Sequence, residues 1–273
     1  MNRKTPPHYE LGPREDLLAH PQFASTLFNG LEVLRQFTPA QPSLGNKEIA
    51  DALGLSRPAV TRLTFTLVGM GLLRRDERTG RYSLGPAVLS LGYPLLVDLT
   101  LRQLAAHDMV ELARFARGPV SLGVRDRLQV VYVETVEDRD SSGTRPDIGS
   151  TRPLLRTAMG RALMYAHTPQ ERKLICSCYA QAHPADWERF SPALAAAYED
   201  IARDGFVVVK RDWQPNICGI AVPLRYRANG MPLAMSVTIQ IDAADDGYVG
   251  QVLGPRIASL VRNLDYRLGM VDG

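Results

Sequence analysis

Apolar positions recur at helical spacing through the first third of the chain, and strand-like runs appear only further on. From Gln22 to Phe37, Phe23, Leu27, Leu31 and Leu34 make a helical stripe. "TPAQPSLG" breaks it. Asn46 is placed to cap a short helix, "KEIADALG", with Ile49 and Leu53 inward and Gly54 ending it. The stretch "GLSRPAVTRL" opens a third helix that runs to about Gly71. Ser56 is a good N-cap, Pro58 sits where a missing N–H matters little, and Val60, Leu63 and Leu67 form the apolar stripe. "LLRRDERTGRYSLGP" then predicts two short strands around a turn at Thr79–Gly80. Helix, helix, turn, helix, hairpin is the order of a winged helix-turn-helix, whose third helix docks in a DNA major groove.

"AVLSLG" and "PLLVD" predict a helical connector broken at Pro94. Between Leu99 and Arg117, Leu101, Leu104, Ala105, Leu112 and Ala116 share one helix face. "PVSLGV" and "LQVVYVETV" read as strands around a turn at Arg125–Arg127, and "SSGTRPDIGST" as a loop leading into a short extended piece. "RTAMGRALMYA", "TPQERKLICSCYAQA" and "SPALAAAYEDIARDG" are helices, the second opening with a Thr168–Glu171 capping box and Pro169 at its first position. "FVVVKRDW", "ICGIAVPLRY" and "MPLAMSVTIQI" are strands, the last two joined at Asn229–Gly230. A final helix carries Leu253, Ile257, Leu260, Val261, Leu264 and Leu268, with Pro255 either kinking it or lying in its first turn. Hairpins with helices grouped on one side imply an α+β domain with a mainly antiparallel sheet.

The chain has 273 residues, enough for one large domain or two modest ones. Its net charge of +3 says little until it is divided. Six arginines (Arg57, Arg62, Arg74, Arg75, Arg78, Arg81) stand against Asp76 and Glu77 between residues 55 and 85, and beyond Pro86 the charges balance. The excess therefore surrounds the third helix, where the macrodipole disfavours cations unless a polyanion is expected. No apolar run reaches the ~18 residues of a membrane span, and "MNRKTPPHYE" lacks a signal core, so a cytoplasmic location is expected. Three cysteines (Cys176, Cys178, Cys218) suit a reducing compartment. Cys176 and Cys178 point to different faces of a helix and have no histidine at ligand spacing, so buried thiols, not a metal site, are expected. His107 and His167 read as helix-surface residues. No cofactor is implied.

Three stretches together, "KEIADALGLSRPAVTRL" with "GLLRRDERTGRYSLGP", "DIGSTRPLLRTAMGRALMYA", and "ICGIAVPLRYRANGMPLAMSVTI", resemble an IclR-type transcriptional regulator from Gln22 onward. Residues 1–21, rich in proline and charge and without periodicity, read as a mobile arm, and the resemblance implies a winged helix-turn-helix at 22–85, a linker helix at 86–98 and a GAF-like effector-binding domain at 99–273. It implies homodimers, often pairs of dimers, on a palindromic or pseudo-palindromic operator in double-stranded DNA. Dimer contacts would come from Ala87–Leu91 and the winged-helix domain. The chain departs from the family where a small polar residue is common at Leu155–Arg156, where Lys210–Arg211 replaces an acidic run, and where Cys218 stands one residue before a frequent cysteine position, here Gly219.

For DNA, Arg57 and Arg62 can bond guanine in pairs, and the methyls of Ala59 and Thr61 can touch a thymine methyl. Arg78 and Arg81, in or beside the wing, suit phosphate or minor-groove contact, as do Arg74 and Arg75. A solvated helix face and a salt-bridge cluster with Asp76 and Glu77 are the alternatives. The resemblance places an effector under "DIGSTRPLLRTAMG", against Leu122 and Val124, Gly149 and Ser150 with N–H groups for an oxyanion, and Ile217, Gly219, Ser236 and Thr238. Leu122, Val124 and Ile217 equally suit core packing. Arg156 and Arg211 would need a carboxylate from ligand or protein. With Trp213 nearby, this points to a small organic acid, aromatic in character, as effector, and to control of catabolic genes. The sequence holds no nucleophile motif, phosphate loop or metal spacing, so it does not read as an enzyme. The alternatives are an enzyme acting on a small organic acid with an appended DNA-binding domain, and an architectural DNA protein without a ligand.

Overall fold

The computed structural model describes residues 18–138 and 146–269, so most of the N-terminal arm, with Arg3 and Lys4, lies outside the described residues. The chain divides into two compact units on either side of Asp98 and Leu99. In the first, α1 (Ser25–Arg35), α2 (Asn46–Leu53) and α3 (Arg57–Gly69) are followed by the antiparallel pair β1 (Leu73–Arg75) and β2 (Tyr82–Leu84), then by α4 (Ala87–Asp98). Val33, Phe37, Leu44, Ile49, Val60, Leu67, Leu73 and Tyr82 form one core. Gly54 ends α2 in the left-handed region, φ 65°, which lets the chain turn sharply into α3.

Two expectations are corrected here, and the facing of the first stripe is fixed. The buried residues of α1 are Gly30 and Val33, while Leu27 and Leu31 of the expected stripe are 65% and 50% exposed. The apolar periodicity is real, but a pattern records that a face is apolar, not what covers it. The cap of α2 is Gly45, whose N–H donates to Glu48 Oε2 at 2.6 Å. Asn46 instead bridges two helices, donating to Thr61 Oγ1 at 3.2 Å and accepting from Thr64 Oγ1 at 3.4 Å. Finally, α4 runs unbroken through Pro94, and none of its residues is buried.

The second unit begins with α5 (Leu101–Ala116) and contains a six-stranded sheet in the order β5-β4-β3-β8-β7-β6, antiparallel throughout. The strands are β3 (Val120–Asp126), β4 (Gln129–Val136), β5 (Thr151–Pro153), β6 (Val207–Lys210), β7 (Ile217–Ala228) and β8 (Met231–Gln240). Asn229 and Gly230, φ 50° and 81°, make the two-residue turn between β7 and β8. Four helices, α6 (Ala158–Tyr165), α7 (Pro169–Ala182), α8 (Pro184–Phe190) and α9 (Pro192–Asp204), build the core on one face. The last helix, α10 (Gly254–Arg267), has Pro255 in its first turn and packs with α5 against β3, β7 and β8. Helices thus lie on both faces rather than one, which is why β3, β7 and β8 are buried almost throughout. The helix α8, absent from the sequence reading, ends at Ser191, which carries the chain straight into α9 with no side-chain cap. Gly160 lets α6 press on the preceding loop: a Cβ there would stand 1.8 Å from the Leu154 carbonyl oxygen. No helix among the described residues is long and apolar enough to cross a membrane.

Candidate functional site

At the start of α3, Ser56 Oγ accepts from Ala59 N–H at 3.3 Å, and Val60, Thr64 and Leu67 are buried. Arg57, Thr61 and Arg62 are exposed and Ala59 is half-buried. The Thr61 hydroxyl is committed, donating to Arg57 C=O at 3.0 Å and accepting from Asn46, so only its methyl group is free to meet a base. Arg57 and Arg62 have no ion-pair or side-chain hydrogen-bond partner among the described residues. Two bare cations therefore stand in the first half of a helix whose dipole opposes them. Phe65, which the sequence reading passed over, is 80% exposed. It lies one turn beyond Arg62 on the same outward face, a placement the 3.6-residue period would have given.

The wing resolves differently for its four arginines. Asp76 Oδ1 accepts from the N–H groups of Arg78 (2.8 Å) and Thr79 (3.3 Å). Hydrogen bonds from Thr79 and Arg78 hold its carboxyl below the ordinary range, so this acid closes the turn. Arg74, Arg75 and Arg78 are exposed and without ion pairs among the described residues. Arg81 is bound to its own domain: Nη2 donates to Ser43 C=O at 2.7 Å and lies 2.9 Å from Glu48 Oε2, while Nε donates to Ser43 Oγ at 3.2 Å. It ties the wing to the start of α2 and holds no guanidinium out towards a groove.

In the second unit, a cavity of about 620 Å³, counted to its open mouth, lies between the sheet and α6. Its wall includes Tyr132, Arg152, Arg156, Met159, Val209, Arg211 and Trp213, with Ile217, Gly219, Ser236 and Thr238. Five of the expected residues therefore line it: Arg156, Ile217, Gly219, Ser236 and Thr238. Leu122 and Val124 do not. Ser121 pairs with Ser236 and Gly123 with Ala234 on β8, and a Cβ on Gly123 would touch Met159 of α6. Ser121 and Gly123 thus lie on the sheet face towards α6, and Leu122 and Val124 point to the other face, because strand neighbours alternate. Gly149 and Ser150 are also off the wall. Their N–H groups are already spent, Gly149 on Tyr132 C=O at 2.8 Å and Ser150 on Asp147 C=O at 2.9 Å, leaving neither for an oxyanion.

Three guanidiniums and no carboxylate line the cavity. Arg156 is neutralised from outside by Asp186 of α8, with Nε donating to Oδ2 at 2.9 Å and Nη2 to Oδ1, and it lies 5.3 Å from the Phe190 ring centroid. Arg156 in turn holds the Asp186 carboxyl below its usual range. Arg152 sits 5.3 Å over the Trp213 ring, bringing an edge strand of the sheet to the loop that follows β6. Arg211, exposed with φ 66°, has no side-chain partner among the described residues. The loop carrying it is anchored by Asp212 on the buried Arg161, which also donates to Leu155 C=O at 3.0 Å. Tyr132, missed in the sequence, is a buried part of the cavity wall. Burial pushes its phenol pKa up, against an opposing pull from Arg152.

Cys178 and Cys218 are buried and Cys176 half-buried, and burial pushes the Cys218 thiol up to about 11. No cluster of three or more His, Cys, Asp or Glu is placed to hold a metal among the described residues. His167 is corrected: it is 5% exposed, its Nε2 accepting from Arg125 Nε at 2.9 Å and its Nδ1 facing Glu171 Oε2 at 3.2 Å. His107 is exposed.

A winged helix with exposed arginines in one unit and an open-mouthed pocket in the other are the features of a DNA-binding protein with a ligand-sized cavity. The IclR helix-turn-helix domain matches residues 26–77, and the bacterial transcriptional regulator IclR C-terminal domain matches residues 94–258. The HTH-type transcriptional regulator TsaQ1/TsaQ2 of Comamonas testosteroni is 26% identical over 88% of this chain and 86% of its own. An IclR-family regulator structure from Brucella abortus is 35% identical, with a TM-score of 0.83 over 91% of this chain and 94% of that one. An IclR homologue from Microbacterium hydrocarbonoxydans, solved in complex with 4-hydroxybenzoate, shares the fold at 21% identity, with a TM-score of 0.64 over 87% and 99% of the two chains. The chain belongs to the IclR family of DNA-binding transcription regulators and carries that family's helix-turn-helix and effector-binding domains.

Proposed function

We propose that this regulator reads a catabolic operator through α3 and releases or tightens its hold when a small organic acid fills the cavity. Arg57 and Arg62 contact base edges, with the methyls of Ala59 and Thr61 against thymine, and Arg74, Arg75 and Arg78 meet phosphates. Arg81 keeps the wing in place for them. Residues 22–85 form the DNA-binding domain, 86–98 the linker helix and 99–273 the effector-binding domain.

The effector's carboxylate pairs with Arg211 and Arg152 at the cavity rim, and its apolar body packs on Trp213, Met159, Val209 and Ile217. An aromatic acid suits those walls, and the relative bound to 4-hydroxybenzoate supports the same class. A homodimer accounts for α4, where Leu89, Leu91, Tyr93, Leu95 and Val97 are 43–79% exposed, and for the outward Leu27 and Leu31 of α1. Such a dimer reads two half-sites ~34–36 Å apart, or a multiple of that spacing, and two dimers can pair on longer operators.

Two observations carry this reading: in the first unit, arginines on α3 and the wing are exposed without ion pairs among the described residues, and in the second, an open-mouthed cavity is lined by three arginines and no carboxylate. The test is titration of the full chain with benzoate and with benzamide, followed by thermal stabilisation. Stabilisation by the acid alone is expected. Equal stabilisation by both compounds would remove the carboxylate from the account.

A further inference from the structure

Phe65 stands in the middle of the outward face of α3 and is 80% exposed. It makes no ring or cation contact among the described residues. The fold itself has no use for an aromatic ring at this position. Val60, Thr64 and Leu67 form the buried side of the helix, and a glutamate, glutamine or lysine at 65 would favour the helix at least as well. Gly69, one turn further on, is exposed, and a Cβ there would meet nothing within 4 Å, so no side chain shields the ring on that side. Thr61 and Thr66 flank the ring, and both commit their hydroxyls to their own helix. Thr61 Oγ1 donates to Arg57 C=O and Thr66 Oγ1 to Arg62 C=O, each at 3.0 Å. A methyl group is the part of each that remains free. One ring and two methyls thus form a small apolar island beside the Arg62 guanidinium, which has no ion-pair partner among the described residues.

That combination selects among partners. An apolar protein face laid over the island would also cover bare cations with no acid to meet them, which is unfavourable. A duplex major groove suits both parts of the surface. It offers phosphates and guanine edges to the arginines, and thymine alone among the bases offers an apolar group, its C5-methyl, to a ring. Local charge points the same way: residues 55–85 carry six arginines against two acids, and one of those acids, Asp76, closes the wing turn.

We infer that Phe65 is a specificity-determining residue that takes a thymine methyl group, so that each operator half-site carries a required thymine which the arginines do not read. This rests on the reading of α3 as the helix that enters the groove, and goes beyond it. Phe65 lies ~4.5 Å further along the helix axis than Arg62, and base pairs are ~3.4 Å apart, so the thymine falls within about three base pairs of the one that Arg62 reads.

The test uses the full chain. Operators are selected from a pool of random duplexes, and each thymine of the selected half-site is then replaced by deoxyuridine, which pairs alike but lacks the methyl group. Binding is followed by fluorescence anisotropy for the wild type, Phe65→Ala, Thr61→Ser and Arg62→Ala. At one thymine, loss of the methyl should weaken the wild type ~4-fold or more, the effect of exposing one buried methyl group. The same replacement should change Phe65→Ala binding by less than about 2-fold, while Thr61→Ser keeps the full response there. Wild-type binding indifferent to every replacement overturns the inference, as does a Phe65→Ala protein that responds like the wild type. So does an equal loss for Phe65→Ala on selected and scrambled duplexes, which would make the ring a backbone contact. A preference that Arg62→Ala abolishes and Phe65→Ala leaves unaltered overturns this inference alone, whereas selection of no preferred sequence overturns the reading of α3 with it. Melting is a second readout: Phe65→Ala should melt with the wild type, because the ring is largely exposed in its own unit, and a fall of several degrees would reveal internal packing and count against a free reading face.

Discussion

Arg156 is held by Asp186, thirty residues further along the chain, through two hydrogen bonds from one guanidinium to one carboxylate. The pair joins the cavity wall to α8, so one of the three cavity arginines is already satisfied from within the protein. Asp186→Asn removes the competing charge. It should raise affinity for benzoate several-fold and leave affinity for benzamide unchanged, as measured by titration. Unaltered benzoate affinity would mean that Arg156 faces the ligand without pairing with it.

Arg81 separates a strut from a phosphate contact. As a strut it links the wing to Ser43 and Glu48, so Arg81→Ala should lower the melting temperature of the DNA-binding domain by a few degrees. DNA affinity should fall alike for all sequences, with the salt dependence of binding unchanged. A phosphate contact would instead reduce the log–log salt slope by about one, with no effect on melting.

His167 makes stability depend on pH. Burial, then the Arg125 charge, lowers its pKa below the ordinary 6.5, with Arg227 acting in the same direction and Glu171 opposing. The unfolded chain therefore takes up this proton before the folded one does. Stability is full above about pH 6.5 and declines as pH falls below it, by at most ~1.4 kcal/mol per pH unit from this group. Melting curves between pH 7.5 and 5.5 should show a steeper acid loss for the wild type than for His167→Gln. Parallel losses would place the acid sensitivity elsewhere.

Gly160 permits the contact between α6 and the Leu154 carbonyl that sets one wall of the cavity. Gly160→Ala should destabilise the effector domain by on the order of 3 kcal/mol or more, because backbone must move to admit the methyl group. Chemical denaturation would measure it, and a loss below ~1 kcal/mol would show that the loop yields easily.

What was legible in the sequence was local. The Thr168–Glu171 capping box, the Asn229–Gly230 turn and the Ser56 cap each depend on a few adjacent residues, and each stands in the structure. Face and partner were not local. Strand β3 is buried on both sides, so its residues carry no alternation from which to choose between Leu122 and Gly123. The stripe of α1 was seen, but Leu27 and Leu31 look outward, since periodicity does not distinguish a core from an uncovered face. Asp186 is distant in sequence from Arg156, as are Ser43 and Glu48 from Arg81, and no spacing rule links them. His167 is polar and next to a helix cap, which suggested the surface, yet Arg125 from the sheet folds over it. Tyr132 became a candidate only once its register with Gly123 was known.

The central claim is that the exposed face of α3 reads duplex sequence. The direct measurement is fluorescence anisotropy of the full chain on DNA from just upstream of its own gene and on a scrambled duplex of equal length, for the wild type and Arg62→Ala. The account predicts strong preference of the wild type for the upstream duplex and a loss of ~1–3 kcal/mol of that preference in the variant, with benzoate stabilisation intact. Equal preference in both proteins would contradict it.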